Sequence, residues 1–131
     1  MKPDIKTAND INALVHHFYN RALTDSIIGS FFTKAVQLNW EIHIPLICQF
    51  WQSILLSTAQ YKGRPIDKHI QLHKTMPIKP IHFKQWLKLW QLSIDQLFSG
   101  PIAEQAKQRA HQIADLMQFK IQQTDSQNFI Q

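Results

Sequence analysis

His69 and His73 stand four residues apart in the run Pro65-Ile66-Asp67-Lys68-His69-Ile70-Gln71-Leu72-His73. On one face of a helix that spacing lets two imidazoles chelate zinc, and Asp67, Cys48 or His43 could complete the set. Ile66 and Ile70 share the stripe, so His69 points toward the core. An inward imidazole needs a partner, and three are open to it. It can bond to a backbone carbonyl as an ordinary core histidine, bind zinc with His73, or act as the axial ligand of a haem iron. The last requires a flat apolar slot lined by aromatics and a basic rim for the propionates. Other chemistries lack their residues: the sequence has no glycine-rich phosphate loop, no CxxC pair and no GxSxG elbow.

Helices must carry these side chains. Gly29, Gly63 and Gly100 are the only glycines, and each falls between periodic segments. Gly63 allows the positive φ of a sharp turn, and Pro65 suits the first position of the helix bearing His69. Upstream, Thr7-Ala8-Asn9-Asp10 reads as a capping box with Asp for the usual Glu, ahead of a stripe of Ile11, Leu14, Val15, Phe18 and Ala22. Asp25 can cap a short element with Ile27, Ile28, Phe31 and Phe32. Asn39 can cap the next helix, whose wide apolar arc from Ile44 to Leu55 predicts a central helix largely surrounded by protein. Pro45 predicts that this helix either begins regularly near Ile44 or has a bent first turn, leaving His43 in irregular backbone.

Pro80 opens a helix with Phe83, Trp86, Leu87, Trp90, Ile94, Leu97 and Phe98. Gly100-Pro101 ends it and starts the last, bearing Ile102, Ala106, Ala110, Ile113, Met117 and Ile121, whose alanines permit close packing. From 124 to 131 the tail is polar and expected to fray. No segment sustains strand alternation, and no internal repeat is present. The fold class is all-α, five or six helices in one domain over residues 1–131.

Composition agrees with a folded chain: 44% of residues are apolar and 18% charged, and there are four Trp and eight Phe. One cysteine, Cys48, excludes an internal disulfide. No signal-like or membrane-spanning run occurs, so a soluble cytoplasmic protein is expected. The net charge of +5 is uneven, since Lys62 to Lys88 holds seven of the fourteen basic residues against one acid, Asp67. Such a face is more often solvated surface than a nucleic-acid footprint, and it could also meet a small anionic ligand. A haem-free helical module that binds through this face is the competing reading. Trp90 or the last helix could pack a partner subunit.

The ordered set Phe18-Tyr19, Trp40-Glu41-Ile42-His43, Phe50-Trp51, Leu55-Leu56, Tyr61-Lys62-Gly63-Arg64-Pro65 through His69, and His82-Phe83-Lys84-Gln85-Trp86-Leu87 resembles a group III truncated haemoglobin over about residues 8 to 122. That family lacks the glycine-pair signatures of other truncated haemoglobins, in line with three isolated glycines. The resemblance implies a shortened globin fold, two helices crossing over two others around haem b. It makes His69, and not His82, the proximal iron ligand. It makes Tyr19 and Trp86 the distal donors and His43 the residue at the mouth of the distal side. Phe32, Ile47 and Trp51 would line the pocket.

Oxygen held on ferrous haem carries partial negative charge, and a buried O–H or indole N–H aimed at it contributes about 1.5–3 kcal/mol. Two such donors imply tight binding, which favours redox chemistry over bulk transport: nitric oxide oxidation, peroxide reduction, or scavenging and sensing, with oxygen, nitric oxide or peroxide as small ligands. Turnover needs electrons, and a chain of this length leaves no room for a flavin or nicotinamide domain, so a separate reductase is the expected partner.

Overall fold

The helix starts are written locally. A computed structural model describes residues 2–35, 40–57 and 65–130, with side chains except at 34, 35, 40, 65–67, 75 and 126–130. Helix α1, Ala8–Ala22, opens with the expected capping box, in which Asp10 N donates to Thr7 Oγ1 and Thr7 N to Asp10 Oδ2. Its stripe is fully used: Ile11, Leu14, Val15, Phe18 and Ala22 are all buried. Asp25 caps the short turn after α1, its Oδ2 accepting from Ile27 N and Ile28 N at 2.9 and 3.0 Å. A wide π-helical turn, Phe31–Ala35, comes next and turns both Phe31 and Phe32 inward.

Helix α2 runs Trp40–Leu55 with Pro45 inside it, so it starts regularly before Ile44. Proline costs only the bond to the Glu41 carbonyl, and Glu41, Ile42 and Pro45 are on the exposed side, where water can take that role. The expected cap at Asn39 and the turn at Tyr61–Arg64, including Gly63, lie outside the described residues, as do the side chains of Trp40, Ile66 and Asp67. Helix α3, Pro65–Thr75, carries His69; α4 spans Pro80–Leu97 with proline at its start. Phe98 leaves the helix in extended conformation as its C-terminal cap.

Helix α5, Pro101–Ile130, continues through Thr124, where the sequence by itself pointed to fraying. Its N-terminus is capped from a distance: Asp4 accepts from Ile102 N and Ala103 N at 3.0 and 2.9 Å. Gly100, at φ +141°, makes room for this, since a Cβ there would lie 2.6 Å from Asp4 Cγ.

Among the described residues every regular element is helical. Helices α1 and α2 pack together, α4 packs on α5, and the two pairs meet through α1 on α4 and α2 on α5. This is the two-over-two arrangement. The core at their crossing contains Leu14, Phe18, Trp51, Trp90, Ile94, Ala106 and Ala110, and each large side chain there contributes roughly 1.5–3 kcal/mol on burial. The alanines of α5 are fully buried and let α4 approach closely. Trp90 is 2% exposed and its indole donates to Ala106 O, which places it in the core and not at a subunit surface. No described helix is long and apolar enough to cross a membrane.

Helix α2 departs from expectation in one respect. Its apolar arc is wider than its packing requires, yet protein does not surround it. Cys48, Trp51 and Leu55 enter the core, while Leu46, Ile47 and Phe50 face an internal cavity.

Candidate functional site

The cavity measures about 620 Å³ and lies between α1, the π turn and α2 on one side and α3, α4 and α5 on the other. That volume falls within the roughly 300–1,000 Å³ of small-molecule and cofactor sites. Its wall is mainly apolar and aromatic. All seven side chains singled out from the sequence, Tyr19, Phe32, His43, Ile47, Trp51, His69 and Trp86, line it.

Tyr19 comes from the last turns of α1, beside the core stripe. Phe18 packs edge-on against it at 5.2 Å and Phe32 at 5.5 Å, which fixes its ring from two sides. Its hydroxyl lies 3.1 Å from His43 Nε2. Burial pushes the phenol well above its ordinary range, with the neighbouring Cys48 adding to the effect, so Tyr19 stays protonated and able to donate. Cys48 is itself raised to about 11 by burial and stays a neutral thiol.

His43 sits in a regular turn of α2 and faces the cavity. Burial lowers its pKa, and the positive charges of Lys68 and His69 lower it further, so the ring is neutral near pH 7. In the tautomer with its proton on Nε2, a neutral His43 donates to Tyr19 Oη, and the hydroxyl can in turn donate to a molecule in the cavity. The chain from imidazole to hydroxyl to a ligand is then cooperative.

Trp86 and Trp90 lie one turn apart on α4, with parallel rings 6.5 Å apart, and Trp90 also stacks on Trp51 at 4.6 Å. Their N–H groups differ. Trp90 donates to Ala106 O, whereas Trp86, which lines the cavity, makes no hydrogen bond among the described residues.

His69 enters from α3, half-buried, with the exposed Lys68 beside it at the cavity edge. The zinc reading does not hold for His73. Its Nδ1 accepts from Ile78 N at 2.8 Å and its Nε2 faces Asp125 at 2.9 Å, so both ring nitrogens are engaged. No cluster of three or more potential metal-ligating side chains occurs among the described residues.

His82, set aside as a ligand on sequence grounds, also lines the cavity one turn before Trp86. Its Nδ1 accepts from Lys79 N and its ring packs on Phe31 at 4.8 Å. The far wall, Ile113 and Met117 of α5, was missed as site although both were read as helix stripe. Their three- and four-residue spacing along the stripe from Ala110 gives no sign of whether they meet protein or a ligand.

The His69 imidazole, a protonated phenol and an indole in an apolar, aromatic cavity, with lysine at the edge, fit a flat iron macrocycle with anionic side groups. The comparisons with known proteins agree. The family model for bacterial-like globins matches residues 4–123. The chain is 30% identical over 121 residues to the group 3 truncated hemoglobin of Campylobacter jejuni, covering 90% of this chain and 93% of that protein. A crystal structure of group III truncated hemoglobin from Campylobacter jejuni superimposes with a TM-score of 0.80 and 27% identity, covering 92% of this chain and 95% of that one.

Proposed function

This chain belongs to the bacterial-like globin family, as a group III truncated haemoglobin that binds small ligands at haem, and from that premise we propose that His69 holds haem b while Tyr19 and Trp86 hold its ligand. The observation that carries the proposal is that His69, Tyr19, His43 and Trp86 reach one apolar cavity from four different helices. Bound there, haem would supply an iron able to take a diatomic molecule.

The chain's own residues do the rest. His69 supplies the imidazole on one side. Tyr19 Oη and Trp86 Nε1 offer hydrogen bonds on the other, and His43 orients the Tyr19 hydroxyl. Phe32, Ile47 and Trp51 exclude water, which strengthens those bonds by lowering the local dielectric. Lys68 meets carboxylates at the edge. Such a site retains oxygen and suits its reaction with nitric oxide, or the reduction of a peroxide, with electrons from a separate reductase.

The first test is the visible spectrum of protein supplied with haem. A strong Soret band that shifts on reduction and on adding carbon monoxide, and is lost in His69→Ala, is expected; colourless protein that takes up no added haem would remove the proposal. Nitric oxide titrated into the oxygenated protein tests the dioxygenase reading, which fails if conversion is no faster than in a haem-free control.

A further inference from the structure

Helix α3 is eleven residues long, packs chiefly on α5, and carries His69. A helix this short owes its place to tertiary contacts. One side chain ties it down. His73, a turn beyond His69, accepts Ile78 N–H on Nδ1 at 2.8 Å, which leaves the neutral ring's proton on Nε2 for Asp125 Oδ1 at 2.9 Å. The His73 side chain is 12% exposed and Asp125 59%.

Three parts of the chain therefore converge on this imidazole: α3 itself, the connection to α4 and the far end of α5. Leu72 and Ile78, on either side of the tie, line the cavity together with His69. Asp125 lies beyond residue 123, where the family match ends, in the stretch whose sequence alone reads as tail.

We propose that His73 and Asp125 are positioning residues for His69: the Asp125–His73–Ile78 tie sets the rotation and register of α3 on α5, and with them the direction from which His69 enters the cavity. This rests on His69 being the iron ligand. Loss of the tie leaves α3 held by apolar packing, which resists rotation less than two directed hydrogen bonds do. An imidazole carried on a looser helix meets the iron over a wider range of angles, and that changes how readily a ligand binds on the opposite side.

The test uses the full-length haem-loaded protein with His73→Leu, which removes both bonds, Asp125→Ala, an exposed change that leaves folding intact, and His73→Gln, whose amide can make both. The readouts are the iron–histidine stretching band of the reduced protein by resonance Raman and the carbon monoxide association rate. His73→Leu and Asp125→Ala are expected to shift the band and change the rate by about twofold to thirtyfold, the span of couplings through one packed tie, with His73→Gln returning toward wild type. A lowered melting temperature with band and rate unmoved would show a purely structural tie and overturn the inference. Wild-type protein that takes up no haem would instead overturn the His69 reading, and this inference with it.

Discussion

Replacing Tyr19 by Phe removes one oxygen atom from the cavity and little else. The ring keeps its edge contacts with Phe18 and Phe32 at 5.2 and 5.5 Å, so the core is not opened. Two interactions go. One is the bond between the hydroxyl and His43 Nε2 at 3.1 Å, present with or without a ligand; its loss lowers stability but cancels from the ligand dissociation rate. The other is the proposed bond from the phenolic proton to a bound ligand. A donor aimed at partial negative charge contributes about 1.5–3 kcal/mol, and each 1.4 kcal/mol is a factor of ten, so oxygen should leave the variant about tenfold to a hundredfold faster. Stopped-flow displacement of oxygen by carbon monoxide measures this directly. That acceleration requires His43 to donate to Tyr19 and not the reverse. Were the phenol instead donating to His43, Tyr19→Phe would leave the oxygen off-rate within about twofold of wild type, with haem uptake unchanged, and the assigned direction of that hydrogen bond would be wrong.

Other expected outcomes concern the frame around the site. Gly100→Ala forces an L-residue to φ +141° and sets its Cβ against Asp4, a strain of about 1–3 kcal/mol. It should also displace the α5 cap, a further loss of about 0.5–2 kcal/mol, and urea unfolding of Gly100→Ala beside Asp4→Ala separates the two. His43 and His82 have pKa values below the ordinary 6.5, chiefly through burial. The unfolded chain takes up those protons near pH 6.5 and the folded chain only at lower pH, so stability is greatest above 6.5 and falls as the pH drops below it. His43→Gln should flatten that limb in melting curves recorded from pH 7.5 to 5. Burial raises the pKa of Asp4 and Asp25, but backbone amides, joined by Lys6 at the first and by Gln85 and Lys88 at the second, together bring both below 3.8. Their contribution is present above pH 3.8 and is lost as the pH falls through their folded values, giving a second, separate acid limb.

The sequence determined the elements because capping and periodicity are local. Thr7 with Asp10, Pro80 and Pro101 mark helix starts wherever the rest of the chain lies, and the stripe of α1 is buried residue for residue. The ordered aromatic and histidine landmarks singled out Tyr19, His43, His69 and Trp86, and all four line one cavity. What sequence could not say is which apolar residues meet protein and which meet empty space. Leu46 and Leu55 on α2, or Ile113 and Ala110 on α5, look alike in a periodic pattern, and only the crossing of the two helix pairs separates wall from core. Long-range polar contacts were equally hidden, since a carboxylate's partner across ninety residues leaves no local trace. Asp4 at the head of α5, Gln85 on Asp25 and Asp125 on His73 all belong to that class. The fold took His73 out of the zinc reading, because Nδ1 is held by Ile78 N in the α3–α4 connection and Nε2 meets Asp125 only where α3 docks on α5.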